Sequence, residues 1–232
     1  MAASSASLRW SLAGGVQLAY STLSDGDQRD PARREQWRQA LGISSPVVVP
    51  GQIHGSAVLA LPAAASELAR ADGLASADRS LALGVFGADC PGLCVVAGSA
   101  LAVAHCGWRG TAAGIVTGLV AALAPIADGP RGSWQAFIGP GISGPCYEVD
   151  AVVLTARSWP AAALAPGRPG RAQLDVARAI AEDLRALGIV AITSCGVCTA
   201  GDERLWSYRR RGAGPVQLLV AWRAPAAATA PT

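Results

Sequence analysis

The chain has 232 residues, a formal net charge of +3, 51% hydrophobic residues and only 15% charged ones. That balance excludes intrinsic disorder, which needs few apolar residues and many charges, and it supplies apolar surface for a real core. It carries no nucleic-acid footprint either: all 19 cations are arginines, scattered except for the run Arg209, Arg210 and Arg211.

In chain order, Asp30 opens a helix with Pro31 in its first turn, which runs to about Leu41 and stops at Gly42. Residues 46–50 enclose a short Val-rich strand, and 65–71 read as a short helix. Residues 82–86, 93–97 and 101–104 are buried strands, the last two joined by a turn at Gly98 and Ser99. A helix follows over 111–123 and a strand over 135–138. Residues 160–171 are a Pro/Gly/Ala surface loop. Residues 174–187 form a periodic helix with Leu174, Ala177, Ile180, Ala181, Leu184 and Leu187 on one face and Gly188 as its stop. Late strands cover 189–193 and 216–222. Strands and helices mix without strict alternation. The expected fold is therefore mixed α/β, with an antiparallel or mixed sheet rather than a Rossmann fold, in one large domain or two small ones, and with a frayed tail over 224–232.

Residues 110–127 carry no charge, and Gly110, Gly114 and Gly118 form a GxxxGxxxG stripe. In a membrane such a stripe brings helices together. Here the segment is rich in Ala, Gly and Thr, contains Pro125 and barely reaches spanning length, so close packing on a sheet is the better expectation than a membrane span. Residues 1–15 lack a basic start and a continuous apolar stretch, which points to a cytoplasmic protein with its six cysteines reduced.

Only two histidines exist, His54 and His105. His54 lies in a polar turn after a strand, in PGQIHGSAV, and His105 ends the strand LAVAH. Between them Cys90 follows another strand, in GADCPGLC. Three strand-end loops can converge on one face of a sheet. Two imidazoles and a thiolate then make a zinc site with its fourth position open, as a catalytic zinc requires. The same residues also fit ordinary core roles. Other thiol chemistry competes: Cys90 with His105 as nucleophile and base, the CxxC pair Cys195 and Cys198, or a four-cysteine site adding Cys90 and Cys94. Asp89 is either the carboxylate that orients a histidine ligand or a turn cap. Arg109, at the start of a helix, either holds an anion such as phosphate or makes a structural ion pair.

Taken together, QIHG at His54, GADCPGL at Cys90, AHCGWRGTAAGIV at His105, GPGISGPCYEV at Cys146, LDV at 174–176 and CTAGDERLWSYRRRG from Cys198 resemble the laccase-domain family of YfiH/YlmD type. Its members are also called polyphenol oxidases or peptidoglycan-editing-factor proteins. The resemblance covers residues 52–212 in the family's order. It implies a single α/β (α+β) domain over residues 1–223 whose mixed β-sheets are covered by helices, an architecture shared with some cysteine hydrolases. It implies that His54, Cys90 and His105 bind zinc, with copper as the alternative metal. It implies catalytic roles for Cys90, His105, Arg109 and Asp89, and substrate contact for Gln52, Arg109, Cys146 and Tyr147. The implied activity is phosphorolysis of adenosine, inosine, guanosine and methylthioadenosine, with adenosine deamination; nucleoside and phosphate are the implied partners. Copper-dependent phenol oxidation and hydrolysis of cell-wall precursors are the other activities attached to the family. Two segments depart from its pattern. The usual Asn-containing segment near the amino end reads STLSDGDQRD at 21–30, in a chain without asparagine, and the usual TGR reads GAGPVQ at 212–217.

Overall fold

Strands that read as unbroken apolar runs need cover on both faces. In the computed structural model, which describes residues 7–224, β7 (Gly92–Ala97) and β8 (Ala100–His105) are buried at every position. Leu93 and Val95 enter one core cluster, whereas Cys94 and Val96 enter another, as the two-residue period of a strand dictates. The fold therefore stacks two sheets face to face between outer helices.

One sheet runs in the order β1 (Leu8–Leu12), β2 (Val16–Tyr20), β14 (Gln217–Arg223), β6 (Ala82–Gly87) and β3 (Val47–Val48). The other runs β13 (Ala191–Ser194), β9 (Gln135–Ile138), β7, β8, β5 (Gly73–Ser76) and β4 (Val58–Ala60). A three-stranded sheet of β10 (Glu148–Val149), β12 (Ala172–Leu174) and β11 (Leu164–Pro166) stands apart. Both large sheets are mixed: β3–β6, β4–β5 and β9–β13 pair parallel and their other pairs antiparallel.

Leu18, Leu83, Val85, Val103, Phe137 and Leu219 fill the space between the two sheets. Outside the first, α1 (Pro31–Ala40) sets Trp37 against Leu218 and Val220. Outside the second, α4 (Ile115–Leu123) and α6 (Val176–Ala186) pack Ile115, Leu119, Ile180 and Leu184 on the sheet. The short helices α2 (Ala65–Leu68), α3 (Trp108–Ala112), α5 (Ala151–Leu154) and α7 (Tyr208–Arg211) sit in the connections.

The pairings decide where the loops go. β3 and β6 are parallel, so both leave the first sheet at one end. Each continues into the second sheet, β3 to β4 and β6 to β7. β8 runs antiparallel to β7, so it finishes where β7 begins, with His105 paired to Gly92. β9, antiparallel to β7, and β13, parallel to β9, exit at that same end.

Several sequence expectations shift here. The helix over 111–123 is two helices, because Gly114 adopts the left-handed region (φ 88°) and caps α4. The helix over 174–187 starts at Val176: Leu174 ends β12, and the Asp175 carboxylate accepts from the Arg178 amide at 2.9 Å. The loop over 160–171 contains β11, paired to β12. Of the tail over 224–232 only Ala224 lies within the described residues.

Among the described residues no helix is long and apolar enough to cross a membrane. The glycine stripe has a local use. A Cβ on Gly110 would sit 2.6 Å from the Gly55 carbonyl oxygen, and one on Gly118 2.9 Å from that of Ser56. The stripe thus seats α3 and α4 on the loop that follows His54. Gly110→Ala should lower stability by about 1–3 kcal/mol through overpacking against backbone. A urea midpoint equal to that of the wild type would show that the contact is dispensable.

Candidate metal centre

His54 lies on the β3–β4 connection, Cys90 on the β6–β7 connection and His105 at the last position of β8. Their ligand atoms all lie within 4.8 Å of one another. The two imidazoles meet edge to face, with ring centroids 4.8 Å apart and planes at 84°. His105 is buried, Cys90 half-buried and His54 exposed, so the cluster opens to solvent on the His54 side.

A carboxylate that sequence reasoning missed organises this cluster. Asp72, fully buried one residue before β5, accepts from the amides of Ile53 (3.1 Å), His54 (2.9 Å) and Gly55 (2.8 Å). It also bonds His105 Nδ1 at 3.0 Å. That bond fixes the ring and leaves Nε2 as the atom His105 can offer to Cys90. The three amide bonds hold the loop in a conformation that L-residues rarely take: Gln52 and His54 have φ of 58° and 62°. Burial pushes the Asp72 carboxyl up, but the bonds from His105 and from the Gly55 and His54 amides bring it below the ordinary carboxylate range.

Cys90 feels the two rings in the same way. Burial raises its thiol, yet hydrogen bonds and charge from His105 and His54 outweigh that and bring it down to about 7. For His105, burial favours the neutral ring, while Asp72 and Cys90 favour the charged one and raise its pKa to about 9. A thiolate with two imidazoles suits zinc, and copper equally by donor type. A Cβ on Gly107 would come within 2.8 Å of Cys90 Sγ and 3.5 Å of His54 Cδ2, so a larger residue there would press on the cluster.

Asp89 does not touch either histidine. Its buried carboxylate accepts from Thr199 Oγ1 at 2.6 Å and from the Arg209 amide at 2.7 Å, and its own φ is 93°. It pins the Cys90 loop to the segment after β13, and Asp72 is the carboxylate that bonds a histidine of the cluster. Gln52 spends its amide on the Phe86 backbone, donating to the carbonyl at 2.9 Å and accepting from the N–H at 2.7 Å. Arg109 is exposed, its guanidinium stacked on Trp108 at 4.4 Å, and among the described residues it has no carboxylate partner. Tyr147 is half-buried under the Arg209 guanidinium, 4.7 Å from its ring. Burial, then the charge of Cys90, pushes the Tyr147 phenol up to about 12. Cys146 is exposed.

The four-cysteine alternative does not survive, because Cys94 is wholly buried between the sheets. The arginine run is spent locally: Arg209 on Tyr147, Arg210 on the carbonyls of Ala200 and Leu205, Arg211 on Trp206. The two segments that depart from the family pattern pack on each other. Gln28 N donates to the Val216 carbonyl at 3.0 Å, and the Arg29 guanidinium to the Gly214 carbonyl at 2.8 Å.

Residues 15–223 match the family described as multi-copper polyphenol oxidoreductase laccase. A purine nucleoside phosphorylase of Corynebacterium glutamicum is 31% identical over 224 residues, covering 90% of this chain and 91% of that protein. One of Streptomyces coelicolor is 33% identical over 213 residues, 87% of each chain. One of Pseudomonas aeruginosa is 35% identical over 167 residues, 68% of this chain and 66% of that protein. Among solved structures, YlmD of Geobacillus stearothermophilus superposes with a TM-score of 0.79 at 25% identity, covering 91% of this chain and 93% of its own. A Neisseria meningitidis protein of the DUF152 family superposes at 0.81 and 24% identity, covering 94% and 99%. The chain belongs to the laccase-like family of multi-copper polyphenol oxidoreductases, in which these relatives carry the name purine nucleoside phosphorylase.

Proposed function

We propose that the chain is a zinc-dependent purine nucleoside phosphorylase acting on adenosine, inosine, guanosine and methylthioadenosine. The observation that carries this reading is the convergence of both histidines of the chain with Cys90, ligand atoms within 4.8 Å, at a solvent-open end of the fold. His54, Cys90 and His105 would hold the metal, which supplies a Lewis acid that polarises an oxygen and lowers its pKa. Asp72 keeps His105 in the tautomer and orientation of a ligand. Arg109, exposed and without a carboxylate partner among the described residues, offers its guanidinium to phosphate. Stacking on Trp108 holds that guanidinium in place. Copper fits the same donors, but two histidines suffice for one mononuclear site and not for several copper centres.

The test is release of base from inosine and adenosine, with and without phosphate, before and after chelation. Phosphate-dependent release that chelation abolishes and zinc restores supports the reading. A zinc-loaded protein that releases no base sinks it. Deamination of adenosine is scored in the same assay by its product. One other reading has a specific observation in its favour: Cys90, His105 and Asp72 stand in the order nucleophile, base and carboxylate of a cysteine hydrolase. Such an enzyme would keep its activity after chelation.

Arg109→Ala should retain the metal and lose about ten- to a hundredfold in phosphate-dependent turnover, the worth of one charged hydrogen bond of roughly 1.5–3 kcal/mol. The loss should appear as a raised KM for phosphate. An unchanged phosphate KM would remove Arg109 from the site.

A further inference from the structure

The spacing of Cys195 and Cys198 suggests that these two thiols pair, but the fold gives Cys198 a different neighbour. Cys195 Sγ accepts from the Val197 amide at 3.5 Å and packs beside the core between the sheets. Cys198 Sγ accepts from the Ser143 amide at 3.4 Å and has the Cys146 thiol as an electrostatic neighbour. Backbone bonds lock the two segments together. Gly141 and Cys198 form a parallel bridge, with Gly141 N donating to the Val197 carbonyl at 3.3 Å and Thr199 N to the Gly141 carbonyl at 3.1 Å. Cys146 N donates to the Ser143 carbonyl at 3.0 Å, closing the turn that brings its thiol back to Cys198.

The two thiols differ in character. Cys146 is exposed, and burial together with its Cys198 neighbour raises its pKa. Cys198 is half-buried; burial pushes it up, but bonds from Ser143 and from the Gly201 and Ala200 amides bring it below the ordinary value. A stabilised thiolate beside an exposed second thiol, on two segments that backbone bonds hold together, is the arrangement of a sensing and a resolving cysteine.

We propose that Cys146 and Cys198 form a peroxide-sensitive dithiol that closes reversibly to a disulfide at the edge of the metal cluster. The Cys198 thiolate attacks one oxygen of hydrogen peroxide; the O–O bond breaks, and the other oxygen leaves as water after taking up a proton. The Cys146 sulfur then attacks the Cys198 sulfenic acid, its S–O bond breaks, and the second water leaves. Two thiols are oxidised to one S–S bond, and one peroxide is reduced to two waters. A reducing dithiol reverses the change. The bond would tie the loop before Tyr147 to the residue before Thr199, which holds Asp89 next to Cys90. It is a property of the thiols themselves and does not depend on the substrate of the metal site.

The experiment treats the full-length, metal-loaded protein with hydrogen peroxide, quenches with catalase, and alkylates under denaturing conditions without reductant. All six cysteines are free before treatment. The expected result is the loss of two alkylatable thiols, a peptide cross-linked through Cys146 and Cys198, and full recovery with dithiothreitol. Cys195→Ser should form the same cross-link. Cys146→Ser should form none and should leave a Cys198 sulfenic acid that dimedone traps. A Cys195–Cys198 cross-link, six alkylated thiols after peroxide, or oxidation confined to Cys90 would each overturn the proposal. The wild-type map and Cys195→Ser decide the matter even if Cys146→Ser does not fold.

Discussion

Cys90→Ser is expected to fold and to lose the metal. The change is nearly isosteric, and the loop that carries it is held by contacts the substitution leaves alone. Asp89 still bonds Thr199 and the Arg209 amide, and the Cys106 amide still donates to the Pro91 carbonyl at 2.9 Å. The hydroxyl, however, is a poor zinc ligand at neutral pH, whereas the Cys90 thiol is already brought to about 7 by its two histidine neighbours. Removing an outer-shell partner of a metal site costs about 10–100-fold in affinity, and removal of the ligand itself should exceed that. The measurement is zinc per chain after dialysis, beside the melting temperature. A serine variant that keeps one zinc and full turnover would dismiss Cys90 as a ligand. A variant that is inactive while the wild type works undiminished in chelator would instead make Cys90 a nucleophile.

What the sequence shows of this site and what it hides have physical causes. His54, Cys90 and His105 are legible because histidine is so scarce in the chain and each residue closes a strand-like run. Their convergence follows from strand direction: two crossovers leave the first sheet at one end, and β8 returns to it. Asp72 is hidden because its partners lie 17 to 33 residues away along the chain. Nothing local to Ala-Asp-Gly shows that four donors close around one carboxylate. Asp89 is visible as an acid among apolar residues, but its partners, Thr199 and Arg209, are 110 and 120 residues distant, so its role is not.

The fold divides in the same way. The helix from Pro31 and the strands β6 to β9 are legible from caps and long apolar runs. The edge strand β4, three residues long, and the short β5 are not, since each pairs only with distant or brief segments. β1 alternates, yet only its pairing with β2, and that of β2 with the last strand of the chain, settles the two as sheet. The break at Gly114 shows the limit of periodicity: α3 and α4 share an apolar face, and only a left-handed glycine divides them.

Asp72→Asn should be the most damaging single substitution around the cluster. The carboxylate spends both oxygens on donors: Oδ1 on His54 N and His105 Nδ1, Oδ2 on the amides of Ile53 and Gly55. An amide keeps one acceptor and turns an NH2 group on two of those donors, stranding buried polar groups at about 1–3 kcal/mol each. The loop it holds also carries positive φ at Gln52 and His54, a strain of roughly 1–3 kcal/mol per residue that persists only while neighbours enforce it. A loss of about 3–5 kcal/mol is expected in denaturant unfolding at neutral pH, the range for breaking a buried charged pair. The carboxyl is held below its ordinary pKa, so its contribution is complete above the unfolded value and fades as pH falls through the folded one. The gap between wild type and variant should therefore narrow below about pH 4. A merely structural aspartate would stop there. A residue that positions a ligand should in addition weaken zinc by about 10–100-fold in whatever fraction remains folded, read by competition with a chromophoric chelator. Equal zinc affinity in the folded variant would confine Asp72 to the loop, and equal stability would remove it from both roles.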